Sequence, residues 1–411
     1  MWSIKTLRKT MQILKKSILT ALAVSAMIAA SPAIAQNVKI GFIGGFTGPI
    51  EALVPPIFEG SKLAVSDINA QGGILGNTLE MISADGACDS TAGASAADKL
   101  VNTDQVVAIV GAVCSGETIS AASNAAIPGN VTIVSPSASS PAVTTVEDND
   151  LLFRVSPSDS YQGDVLARMI LSKGIDTIAI SYINNDYGKG LADAVAASFA
   201  ANGGTVAASE GHEEGKADYR AEVGSLAATG ADTLVLLAYA NGSGQTILRQ
   251  ATEAGDFANF VFGDGMIDNG LMTGIDAASV EGAFATPPGA PDGPGAAIFA
   301  QSAAAAGLDP TAIFSPQAYD AAFMIALAIE KNGSTDREGV NVALREIASA
   351  PGEVILPGEW AKAVALIAAG KDINYEGAGG AQDFDENGDV AGTYNEQAVQ
   401  SGVFVTVGPA S

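Results

Sequence analysis

Residues 106–126 read VVAIVGAVCSGETISAASNAA. The first five are a run of β-branched and small apolar side chains, short enough for a strand buried on both faces. Residues 117–126 are predicted as a helix, and Cys114-Ser115-Gly116 forms the turn between the two. A strand that feeds a helix through small residues leaves unpaired backbone N–H groups at the positive end of the helix dipole. Such an end suits a carboxylate. Ser115 stands where a hydroxyl caps a helix, contacts an anion, or does both, and this segment alone does not choose between them.

The same strand–helix rhythm extends in both directions. Strands are predicted at 38–43, 79–84, 106–110 and 131–134, with helices at 56–70, 91–101 and 117–126. Near Phe153-Arg154-Val155 the pattern restarts, with helices at 162–173, 190–201, 217–228 and 245–254. Between these lie strands at 177–182, 205–210, 233–237 and 259–262. Buried apolar strands alternating with amphipathic helices mean parallel sheets covered on both faces. Two such series in 411 residues, too many for one ordinary core, predict an α/β protein of two doubly wound parallel-sheet lobes. The last third is less regular. It holds a Pro/Gly-rich connector at 289–295 and helices at 296–306, 315–331, 340–348 and 360–369. A hairpin at 384–390 turns on Asn387-Gly388, and a closing strand spans 402–407.

Composition narrows the class. Apolar residues are 48% but aromatics only 6%, so the cores should be built from Ala, Val, Ile and Leu. The first 35 residues carry Lys5, Arg8, Lys9, Lys15 and Lys16, then the apolar run 18–30 and Ser31-Pro32-Ala33-Ile34-Ala35. This order predicts a secretory signal peptide at 1–35 cleaved after Ala35, with translation starting at Met1 or Met11, and a periplasmic location. No cysteine follows the cleavage site, which argues against a lipid anchor there. Its removal takes five positive and no negative charges, moving the formal charge from −25 to −30. A surface that acidic argues against nucleic acid and anionic membrane as partners. Cys88 and Cys114 are an even count in an oxidising compartment and predict one disulfide, worth roughly 3–4 kcal/mol by loop closure. Two cysteines and the single His212 cannot furnish a four-ligand zinc site, so neither metal nor cofactor is expected. His212 itself is predicted in an exposed acidic loop.

In open α/β sheets ligands bind beyond the carboxyl ends of the strands. There this chain places Thr47-Gly48-Pro49, Cys114-Ser115, the serine-rich run 135–141, Asn184-Asn185-Asp186-Tyr187-Gly188, Tyr239 with Asn241, and Gly263-Asp264-Gly265. The first series supplies hydroxyls and a helix start, the second aromatics and a carboxylate. Together they suit a small zwitterion, although serines and aspartates populate any loop. No G-x-S-x-G elbow and no P-loop are present, and residues 41–48 lack the G-x-G-x-x-G spacing. Residues 383–388 begin like an EF-hand loop, but Tyr394 stands where the bidentate Glu belongs. An enzyme is not expected.

VKIGFIGGFTGP, SDINAQGGILGNTLE, the ACD around Cys88, VGAVCSGET, VSPSASSP, NDYGKGLA, GQTILRQA and DENGD, spread from Val38 to Asp389, carry a resemblance. The chain resembles type I periplasmic solute-binding proteins of the branched-chain amino acid (Leu/Ile/Val-binding) ABC transporter family. That resemblance implies two lobes joined by a three-crossover hinge, lobe I being 36–154 plus 284–391 and lobe II 155–283 plus 392–411. It implies a monomer that closes over an amino acid or analogue and delivers it to ABC permease membrane subunits. It places the Ser115 hydroxyl on the ligand α-carboxylate with Ser139 beside it, and the Ser137 carbonyl on the α-ammonium, with Ala138 in the same binding loop. Asp264 falls at the acidic partner of the ammonium, and Tyr187, Tyr239 and Tyr319 at pocket aromatics. Cys88 and Cys114 match the family disulfide. The chain departs from the pattern at Leu53 (usually aromatic), at Asp264 (usually Glu), at Ser139 (usually Thr) and in a longer insertion at 350–380. These departures leave side-chain specificity open, with a periplasmic ligand sensor or a binder of another small carboxylate or amide as alternatives.

Overall fold

The computed structural model describes residues 37–289 and 293–410. The signal segment 1–35 and its cleavage site lie outside the described residues. Strand β1 (Val38–Gly44) is almost wholly buried and lies inside the first sheet, next to its edge strand. It pairs in parallel with β2 (Leu79–Asp85) on one side and β3 (Ala108–Val110) on the other. Then β4 (Thr132–Ser135) and β5 (Leu152–Arg154) continue the sheet, giving the order β2-β1-β3-β4-β5. A second parallel set repeats that order with β6 (Thr177–Ile183), β7 (Thr205–His212), β8 (Thr233–Leu237), β9 (Asn259–Phe262) and β10 (Phe284–Ala285). It runs β7-β6-β8-β9-β10. In each sheet the order reverses between the first strand and the third, which is where ligands of doubly wound folds sit.

The chain passes between the two sheets three times: between Arg154 and Asp159, between Gly289 and Pro294, and between Val390 and Thr393. The second passage lies later than the boundary at 284. Phe284–Ala285 and β11 (Pro288–Gly289) both belong to the second sheet, because they pair with a returning C-terminal strand. A small sheet of β12 (Glu353–Ile355), β13 (Ile373–Gly377) and β14 (Gly380–Ala381) covers part of the first lobe. The returning strand β15 (Thr393–Gln400) runs antiparallel to β10 and β11 and carries the edge strand β16 (Val403–Pro409). Its sequence, TYNEQAVQ, has no apolar run, which is why only the closing strand is legible from patterning.

The first lobe is organised on the helix Ser315–Asn332, buried nearly all round, against which the helix Val54–Ala70 lies. The latter buries Val54, Ile57, Ser61, Ala64 and Ile68, one stripe at helical spacing. The Ser61 hydroxyl donates to the Ala318 carbonyl at 3.0 Å and fixes the two helices in register. Asp320, on the long helix, is fully buried and accepts from Tyr375 Oη, Ala378 N and Gly379 N at 2.7–2.8 Å, which pins the inserted segment. No helix among the described residues is long and apolar enough to cross a membrane.

Candidate functional site

The helix after β3 starts at Ser115, two residues before the sequence-based boundary. Cys114 occupies the cap position, and the Glu117 carboxylate turns back to accept from Cys114 N at 3.2 Å. The disulfide Cys88–Cys114, with its Cα atoms 5.4 Å apart, ties this turn to the loop after β2. The cap is therefore filled without Ser115, whose hydroxyl instead accepts from Ser140 N at 3.2 Å. Ser115 lines a cavity between the two lobes.

That cavity is small and is formed from the carboxyl ends of the strands at both reversal points. The first lobe contributes the side chains of Ser115, Ser137 and Ser139, and the second contributes Tyr187, Tyr239 and Asp264. Ile50, Leu53, Val113 and Phe314 close it with apolar surface. The wall thus combines polar groups with hydrocarbon surface. Tyr187 and Tyr239 stack with centroids 5.3 Å apart, and Tyr187 donates to Asp264 Oδ1 at 2.7 Å. A wider gap beyond Leu53 and Phe314 contains Asp268 and Asp309, both engaged in their own turns.

Two buried carboxylates give this site its electrostatic character. Asp264 is 3% exposed, and burial raises its pKa while the bonds from Tyr187 and Gly265 oppose the rise. Behind Ser139 sits Asp159, the first residue of the helix Asp159–Ser172 and fully buried, with no partner at good hydrogen-bond geometry for either carboxylate oxygen among the described residues. Its pKa is pushed well up, chiefly by burial and then by the Asp264 charge, against the pull of Ser139 and Arg154. Two like charges in a dry site are unstable unless protonated or met by a cation. An ammonium is such a cation.

The lobes meet along a seam where two glycines let the elements approach closely. Ser140 Oγ of the first lobe donates to the Asp186 carbonyl of the second at 2.8 Å. A Cβ on Gly190 would come within 2.8 Å of Ser140 Oγ and 2.9 Å of Pro141 Cδ. One on Gly116 would lie 2.6 Å from Asp186 Oδ2. Gly190 lies inside the helix Asp186–Ala201, where alanine is the better helix former by about 1 kcal/mol. Gly190→Ala is therefore expected to raise the melting temperature of the unliganded protein slightly while weakening ligand binding about tenfold through a less populated closed state. Calorimetry and thermal scans check the pair, and a variant that binds as tightly as wild type contradicts it.

Three sequence-based placements are corrected. Tyr319 does not reach the cavity. Its hydroxyl donates to Asp67 Oδ2 at 2.8 Å and its ring stacks on Phe323, inside the first lobe. The aromatic on that side is Phe314, held at φ +61° just ahead of the helix that carries Tyr319. Ala138 is wholly buried behind the wall, its carbonyl turned to Arg154. His212, expected in an exposed loop, is 2% exposed at the end of β7, between Ser181 Oγ at 2.9 Å and Ser243 Oγ at 3.0 Å. Burial lowers its pKa to about 4, so it stays neutral. Asp159 and Phe314 are the residues that sequence reading missed. The signal for Asp159 was an acid directly after Ser156-Pro157-Ser158, where a helix starts.

Two doubly wound lobes with a polar cleft at their reversal points, lined by Asp264 and backed by the buried Asp159, define a hinged solute-binding protein. The chain belongs to the periplasmic binding protein family, whose sequence profile matches residues 37–402. It is 34% identical over 313 residues to the leucine-, isoleucine-, valine-, threonine- and alanine-binding protein of Pseudomonas aeruginosa, covering 76% of this chain and 83% of that one. It is 33% identical over 257 residues to the Leu/Ile/Val-binding protein of Escherichia coli, covering 62% of this chain and 69% of that one. Among solved structures, a leucine binding protein of Thermotoga maritima superposes with a TM-score of 0.77 at 25% identity, over 91% of this chain and 99% of that one. A solute binding protein of R. palustris in complex with benzoate has the same fold, with a TM-score of 0.73 at 16% identity over 92% of this chain and 97% of that one. The family is a solute-binding class rather than an enzyme class, and it is periplasmic.

Proposed function

We propose that the cleft binds an α-amino acid with an aliphatic side chain and that the protein, as a monomer in the periplasm after cleavage at Ala35, delivers it to an ABC permease without chemical change. The carrying observation is Asp264, a buried acid that lines the same cavity as Ser115, Ser137 and Ser139, with the fully buried Asp159 behind the wall, its N–H on the Ser139 carbonyl at 2.8 Å. The ammonium meets the acids, the carboxylate meets the hydroxyls, and the side chain enters the slot between Ile50, Leu53 and Phe314. Ligands named for the relatives in Pseudomonas and Escherichia, leucine, isoleucine and valine, agree with that division. A ligand shifts a hinge only by its preference for one state. The acids belong to the second lobe and the serines to the first, so a zwitterion rewards closure and a half-ligand does not.

A thermal-shift screen of amino acids, their amides and aromatic acids on residues 36–411 tests the class, branched-chain amino acids being expected to give the largest shifts. A screen won by aromatic acids overturns the reading. Proton linkage gives a second check. Asp159 and Asp264 have raised pKa values when the site is empty, and an ammonium favours their ionised forms. Binding should therefore release protons, and affinity should weaken as pH falls through the raised values, above the usual carboxylate range. Calorimetry in buffers of different ionisation enthalpy reads the release. The Asp264→Asn protein serves as background for Glu117, whose burial lifts its pKa to about 7.

A further inference from the structure

The segment 136–140 between β4 and the short helix Pro141–Thr144 is irregular, yet its peptides are oriented together. Ser135 Oγ accepts from the Ser137 and Ala138 amides and Asp159 N donates to the Ser139 carbonyl, but the widest grip comes from Arg154, the last residue of β5, which is fully buried. One of its terminal nitrogens donates to three successive carbonyls, Ala138 at 3.2 Å and Ser139 and Ser140 at 2.9 Å each. Nε and the other terminal nitrogen grip Asp389 at 2.7 and 2.6 Å. The Thr144 hydroxyl accepts from the guanidinium at 2.6 Å and donates to Asp389 at 2.8 Å. Only a planar fork makes these contacts at once, and an ammonium cannot.

In a trans peptide the C=O and the next residue's N–H point in opposite directions. Drawing the Ala138 and Ser139 carbonyls back toward Arg154 therefore turns the Ser139 and Ser140 amides forward. The Ser140 amide lands on Ser115 Oγ at 3.2 Å, at the cavity wall. The Ser139 amide finds no protein acceptor among the described residues, while its side chain lines the cavity. We infer that Arg154, clamped by Asp389 and Thr144, is a positioning residue for carboxylate recognition: it holds the binding loop so that the Ser139 N–H and the Ser115 hydroxyl face the ligand anion. Arg154 immediately precedes the first passage between the lobes and Asp389 lies just before the third, so the clamp also joins the binding loop to the hinge.

This inference rests on reading the cleft as an amino-acid site, and its test separates the two. Leucine and leucinamide share a side chain and an ammonium, and only leucine has a carboxylate. In wild type, calorimetry should show leucine preferred. In Arg154→Lys, leucine affinity should fall about tenfold or more while leucinamide changes little, so that the preference collapses. Thr144→Val, which keeps both charged partners, should fall between. A clamp that merely stabilises the fold would lower the melting temperature and leave the preference intact, and that result overturns the proposal. Hydrogen exchange on the unliganded proteins needs no ligand: the Ser140 amide should lose protection in both variants relative to the sheet amides. Unchanged Ser140 protection in folded Arg154→Lys also overturns it. If wild type binds neither probe, the cleft reading fails, and the Ser140 exchange still decides what Arg154 does.

Discussion

Asp264→Asn is expected to weaken leucine binding about 100-fold or more while leaving the unliganded protein at least as stable as wild type. The asparagine keeps the shape and the acceptor for the Tyr187 hydroxyl, now at 2.7 Å from Oδ1, so the tyrosine pair should hold its place. What goes is one of the two negative charges in a dry site. The ammonium then faces Asp159 alone. In the empty site the same loss removes the repulsion that helps raise the Asp159 pKa, which is a gain for the fold. Affinity and stability therefore move apart, a signature that a misfolded variant does not give. Calorimetry and thermal scans on the same preparations measure it, and unchanged affinity removes Asp264 from the site.

Asp320→Ala should be the costliest substitution for stability, about 3–5 kcal/mol, without touching the cleft. It strands the donors of Tyr375, Ala378 and Gly379, together with the Gln382 amide at 3.3 Å, beneath the inserted small sheet. Burial lifts the Asp320 pKa from 3.8 to about 7. Its folded form thus holds a proton that the unfolded form has lost across that interval, so this group makes stability fall as pH rises from about 4 to 7. Denaturant titrations at several pH values should show that component of the slope vanish in Asp320→Asn. A slope that persists undiminished assigns it to other groups.

Four parallel strands in each sheet were legible because they read as short apolar or alternating runs between turn residues, whereas β5 and β10, three and two residues long, were not. So were the hydroxyl loops after β3 and β4 and the acid after β9, since a doubly wound sheet puts those positions at one edge. Strand β15 was not legible, because an antiparallel strand paired through its backbone between β10 and β16 needs no apolar run; its absence from the pattern misplaced the second passage between lobes. Asp159 stayed hidden because an acid at a helix start looks like a cap, and only burial against Asp264 distinguishes it. Phe314 and Tyr319 are separated by little more than one helical turn, and patterning does not say which of two aromatics faces a cleft. Arg154 lay in plain sight at the restart of the pattern, but its partner Asp389 is 235 residues away.

The cleft should be selective for the α-ammonium of its ligand. The most direct test is calorimetric titration of residues 36–411 with leucine and with 4-methylpentanoate, the same molecule without the amino group. Leucine should bind and 4-methylpentanoate should bind at least about 100-fold more weakly, because it leaves Asp159 and Asp264 unmatched and adds a further negative charge. Equal or tighter binding of the deaminated acid would mean that the buried acids do not read the ammonium.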